Sequence, residues 1–109
     1  MTKLSPSAAR FIRKEHAYLW ARSRVAAGRI PADISRLRQL LDDYPLAGAE
    51  LTLLRGTARE GLRRWVEGDY TFDYRVAPDG EVLVVLVRHH AQDDPHRAYD
   101  ADDLEQDYD

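Results

Sequence analysis

From Leu62 to His90 the chain reads LRRWVEGDYTFDYRVAPDGEVLVVLVRHH, three runs of strand-forming residues separated by two turn signals. Period-two alternation in the middle run puts Tyr70, Phe72, Tyr74 and Val76 on one face and Thr71, Asp73 and Arg75 on the other, which predicts a half-buried antiparallel strand with a dry side and a wet side. Glu67-Gly68-Asp69 marks a tight turn before it. Ala77-Pro78-Asp79-Gly80 marks a second turn after it, with Pro preset for a turn position and Gly free to take positive φ. The strands are therefore expected at about 62–67, 70–76 and 81–89, joined as sequential hairpins. The third is apolar on both faces, with Val82, Val84 and Leu86 against Leu83, Val85 and Val87, and it ends in His89-His90-Ala91-Gln92-Asp93.

Ahead of the sheet the period changes to that of helices. Ser5-Pro6 is a helix start, since Ser accepts from the unpaired amides of the first turn and Pro suits the first helical position. Ala8, Phe11, Ile12, Leu19 and Val25 then share one face, with Arg10, Arg13, Lys14, Arg22 and Arg24 around the other. Gly28 is expected to end this helix and Pro31 to open a second, in which Ile34, Leu37, Leu40, Leu41 and Tyr44 form an apolar stripe stopped by Pro45. Residues 45–56 read as a loop, and Met1–Leu4 as a short edge strand. The class expected is α+β, a helical hairpin packed on one face of a small antiparallel sheet. Two helices cover only one face, so the doubly apolar strand 82–88 requires a second cover, either the chain's own loops or a partner segment.

At 109 residues the chain is expected to form one domain, residues 1–93, followed by an acidic segment. Residues 1–93 hold 15 Lys and Arg against 12 Asp and Glu, and residues 94–109 hold one Arg against seven acids. The body is thus weakly basic. The segment 94–109 has too few apolar residues to offset its ordering entropy, which predicts disorder when it is free. It reads either as a solubilising extension or as an acid arm that shields a basic site. The sequence has no cysteine, which removes disulfides, thiolate nucleophiles and the common structural zinc sites. No run approaches the roughly 20 apolar residues of a membrane span, so a cytoplasmic protein without membrane partners is expected. No phosphate-binding glycine loop, nucleophile elbow or paired-carboxylate motif occurs. His89 and His90 are adjacent on a strand and point to opposite faces, so they do not converge on one ion, and neither a metal nor a cofactor is expected.

The order of signals carries a resemblance. Leu4-Ser5-Pro6-Ser7-Ala8, the helical hairpin, Tyr44-Pro45-Leu46-Ala47-Gly48, Arg59, Gly68-Asp69-Tyr70 with Tyr74-Arg75-Val76, and His89-His90-Ala91-Gln92-Asp93 together resemble a toxin of the RelE/ParE superfamily of type II toxin–antitoxin systems. The long hairpin and the P-x-x-G loop favour the ParE side. The resemblance implies a bacterial toxin that arrests growth, associated with plasmid stabilization, and neutralised in a hetero-oligomer by a cognate ParD-like antitoxin. For ParE-like members it implies DNA gyrase as the target, and for RelE-like members mRNA cut in the ribosomal A site.

The two routes ask for different chemistry. RNA cleavage needs groups that activate the 2′-hydroxyl, protonate the leaving oxygen and stabilise the phosphorane charge. Here those would be Arg59, Arg75 and His89. A gyrase inhibitor needs only a surface, for which Arg59, Arg75, Arg88 and His89 are the target-binding candidates. The basic excess of a ribosome-binding nuclease is missing, and Tyr99 and Tyr108 lie in the acidic segment without a matching family position, so the gyrase route is favoured over the nuclease. An inactive member that only binds antitoxin is the third reading. Tyr18, Trp20, Trp65, Val84 and Leu86 are the antitoxin-binding candidates. Glu15 interrupts an apolar helix face and is expected to pair with a neighbouring Arg.

Overall fold

In the computed structural model, which describes residues 1–90, a short strand β1 (Thr2–Leu4) leads into helices α1 (Pro6–Trp20) and α2 (Arg24–Asp43). Strands β2 (Ala49–Glu50), β3 (Arg63–Glu67), β4 (Tyr70–Val76) and β5 (Val82–His89) follow. The sheet order is β1-β5-β4-β3-β2. β3, β4 and β5 pair antiparallel as expected, β2 adds a short antiparallel edge in a stretch that read as loop, and β1 pairs parallel with β5, so the complete sheet is mixed. The acidic segment 94–109 lies outside the described residues.

Ser5 starts α1 as anticipated: its hydroxyl accepts from the Ala8 amide at 3.1 Å. The same residue fastens the helix to the sheet, because its amide donates to the Val84 carbonyl at 2.8 Å and its hydroxyl to the Val85 carbonyl at 3.3 Å. Ser7 adds a second donor to that carbonyl, also at 3.3 Å. Val85 is where β5 bulges, since Asp73 pairs with Leu86 and Tyr74 already with Val84. A bulged residue leaves the regular ladder, and the two serine hydroxyls meet the Val85 carbonyl there.

The break between the helices falls earlier than expected. α1 stops at Trp20, Ser23 caps α2 by accepting from the Ala26 amide at 3.1 Å, and Gly28 and Pro31 both lie inside α2. A proline in a helix interior costs about 3 kcal/mol. Ala27, Ile30, Leu37 and Leu41 are buried along one face of α2, and each fully buried Leu or Ile contributes roughly 1.5–3 kcal/mol, which outweighs the proline. Val25, assigned to the apolar face, is instead 72% exposed at the start of the new helix.

The helices cover Tyr70, Phe72, Tyr74, Val82, Val84 and Val87. The opposite side of β4 is wet only at Arg75. Thr71 is 2% and Asp73 1% exposed, because the loop 51–62 folds over that face and packs Leu51, Leu54 and Leu62 on Leu83, Val85 and Leu86. The chain's own loop thus supplies the second cover that strand β5 required. Asp73 survives burial through Arg64, whose Nε and Nη2 donate to its two carboxylate oxygens at 2.6 and 2.7 Å.

Candidate functional site

Glu15 faces the sheet from α1 and organises one end of the core. The Tyr70 hydroxyl donates to its Oε2 at 2.9 Å, and His89 Nε2 lies 2.9 Å from the same oxygen. The His89 ring stacks obliquely on Tyr70 with centroids 5.1 Å apart and meets Phe11 edge-on at 6.0 Å. Burial, then the hydrogen bond to Glu15 and the surrounding carboxylates, push the Tyr70 phenol well above its usual range. Tyr70 therefore stays neutral and donates. Glu15 pairs with Tyr70 and His89 rather than with the arginine the sequence suggested, because its position on α1 points at the sheet.

These three groups floor a cleft of about 430 Å³ between the helices and the β3–β4 turn, with Arg29, Asp33, Asp69 and His90 along its walls. Gly68, at φ +60°, makes that turn and leaves no room for a Cβ beside the Asp33 carboxylate. Asp33 is held by Arg36, which also donates to Glu67 at 3.3 Å and so ties α2 to β3. His90 faces the other way, its Nδ1 3.5 Å from the Thr71 hydroxyl.

The arginines singled out from sequence stand elsewhere. Arg75 follows Tyr74 on β4 and Arg88 pairs with Thr71, so both belong to the sheet face opposite the helices. Arg59 is half-buried in the loop that covers that face. His89 belongs to the helix face. The residues that RNA cleavage would combine, Arg59, Arg75 and His89, are thus divided between two sides of the sheet.

The antitoxin-binding candidates are divided too. Tyr18 and Trp20 are 54% and 52% exposed on α1, and Trp65 is half-buried on β3 with its Nε1 donating to Glu67 at 3.2 Å. Leu86 is partly buried on the outer face. Val84 is wholly buried beneath the helices and presents no surface. Alternation along β5, broken by the bulge at Val85, misplaced it: without the bulge Val84 and Leu86 would share a face.

Over residues 2–94 the chain matches the family described as the ParE toxin of the type II toxin-antitoxin system parDE. The chain belongs to the ParE toxin family. No curated relative matches it. The motif order that suggested ParE acquires physical reasons in the structure: the L-S-P-x-A start carries the serines that hold the bulge of β5, and the P-x-x-G loop ends at Gly48, whose amide donates to the Tyr74 hydroxyl at 2.8 Å. Arg63 clamps the same loop by donating to the Gly48 carbonyl at 2.7 Å. A ParE toxin implies an antitoxin partner in a type II system. Among the described residues no group of three or more His, Asp or Glu side chains is placed to hold a metal ion, and no helix is long and apolar enough to cross a membrane.

Proposed function

We propose that this ParE family member acts by binding and inhibiting DNA gyrase in the cytoplasm, and that a cognate ParD-like antitoxin neutralises it in a hetero-oligomer. The observation that carries the choice is the division of Arg75 and Arg88 from His89 across the sheet. Phosphoryl-transfer catalysis wants its acid, base and cation within reach of one phosphate, whereas an inhibitory contact needs only a surface of matching shape and charge. The outer face offers Arg75 and Arg88 for an anionic surface of the target, with Arg59 in the loop beside them. The hairpin offers Tyr18 and Trp20 to the antitoxin, because aromatic side chains that are half-exposed lose water favourably on docking.

Purified gyrase, ATP and plasmid, titrated with antitoxin-free protein, test the reading. Accumulation of linear, protein-linked DNA, suppressed by the antitoxin, is the expected result. Folded protein that leaves gyrase unaffected but truncates mRNA on translating ribosomes would replace it with the nuclease reading. Absence of both effects, with antitoxin binding retained, would mark an inactive member.

A further inference from the structure

The tip of the helical hairpin differs from the rest of the surface. From His16 to Ala32 the chain holds Arg22, Arg24 and Arg29 and no acid, and Tyr18, Trp20 and Val25 are all more than half exposed there. The Arg22 guanidinium lies 3.7 Å above the Tyr18 ring and that of Arg24 5.0 Å from the Trp20 ring centroid, while His16 stacks on Trp20 at 5.9 Å. Stacking holds the long arginines in place at low entropic cost and still presents their N–H edges to carboxylates. Trp, Tyr and Arg are also the side chains that dominate binding hot spots. The patch is built to receive a segment that is both acidic and apolar.

The described residues end near this patch. The His90 amide donates to the Asp69 carbonyl at 2.8 Å, and His89 and His90 border the same cleft as Leu19, Ala26 and Arg29, the neighbours of Trp20 and Val25. Asp94 is only four residues further on, at most about 13 Å at ~3.3 Å per residue. Residues 94–109 carry seven acids against one Arg and interleave them with Tyr99, Leu104 and Tyr108. Another basic surface fits less well: Arg75 and Arg88 lie on the far face of the sheet from the cleft.

We propose that residues 94–109 bind the hairpin tip of their own molecule, their carboxylates meeting Arg22, Arg24 and Arg29 and their apolar side chains covering Tyr18 and Trp20. A partner that uses the tip then has to displace this segment. The inference stands apart from the gyrase reading and is tested without gyrase.

The test is 15N-resolved NMR of the full chain, comparing wild type with Asp100→Asn/Asp102→Asn/Asp103→Asn/Glu105→Gln and with Arg22→Gln/Arg24→Gln. Neutralising the acids is expected to shift the Trp20 indole N–H and the amides of residues 23–26, with the Trp65 indole unmoved as a fold control. Raising the salt should move the wild-type signals toward the same positions, because exposed charge pairs are screened. The arginine variant should shift the signals of residues 99–108. Unmoved tip signals, or shifts centred instead on Arg75 and Arg88, would overturn the proposal. So would shifts that fade on dilution, which place the segment on a second copy.

Discussion

At Gly48 an added Cβ would stand 2.7 Å from the Arg64 carbonyl oxygen and 2.7 Å from the Tyr74 hydroxyl. The backbone must approach that closely for the Gly48 amide to reach the hydroxyl. Gly48→Ala is therefore expected to lose about 1–3 kcal/mol, the usual cost of overpacking, as a lowered urea midpoint at unchanged slope. Arg64 and Asp73 pose the opposite case, a pair whose charges are both out of water. Truncating one partner strands the other, so Arg64→Ala should destabilise by about 3–5 kcal/mol in the same assay. The phenols of Tyr70 and Tyr74 are raised, the first by burial and Glu15, the second by burial outweighing the Gly48 amide and Arg63. A raised pKa means the fold favours the protonated form. Stability from these groups is then fully present below the unfolded phenol value of about 10 and is lost as pH rises toward the folded values. The expected outcome is a falling unfolding free energy above about pH 10, with a late phase in the tyrosinate absorbance that Tyr70→Phe diminishes.

Among the elements, α2 gives the sharpest contrast between local signals and outcome. Gly and Pro within four residues look like a helix end and a helix start, yet Gly28 and Pro31 sit in one continuous helix because Ala27, Ile30, Leu37 and Leu41 bury a single stripe against the sheet. Gly28 is exposed, and nothing lies within 4 Å of where its Cβ would be. Gly28→Ala should consequently stabilise the protein by about 0.5–1 kcal/mol, read as a raised thermal midpoint. A terminating glycine with positive φ would respond with a loss instead. In β5 the bulge at Val85 has a similar lesson: it reverses which residues face the helices beyond it, and no glycine or turn residue in the run Val82–His89 marks its place.

For the molecule as a whole, the sheet separates two surfaces. One carries Glu15, Tyr70 and His89 lining a cleft below the hairpin; the other carries Arg75 and Arg88 on the face that the leucine-rich loop covers in part. If the outer face meets gyrase, Arg75→Ala/Arg88→Ala should weaken gyrase inhibition several-fold, with the urea midpoint measured alongside as the control for folding, and the difference from wild type should shrink at higher salt, where the wild-type contacts are screened. Growth arrest on expression should fall in parallel, with antitoxin binding measured separately as the control.

The amino-acid sequence by itself determined the α+β class, the limits of β4, the turns at Gly68 and Gly80, the Ser5 cap and the family, because each rests on local periodicity, turn chemistry or motif order. Three matters were decided only in three dimensions. The hairpin turned at Ser23 because long-range burial along α2 outweighed its glycine and proline. The second face of β4 became dry at Thr71 and Asp73 because a distant loop, residues 51–62, lay over it. The candidate site residues parted company because the strands assign neighbours to opposite faces and the bulge resets that assignment. Periodicity reports how residues alternate along a chain, but only packing decides what stands opposite each one.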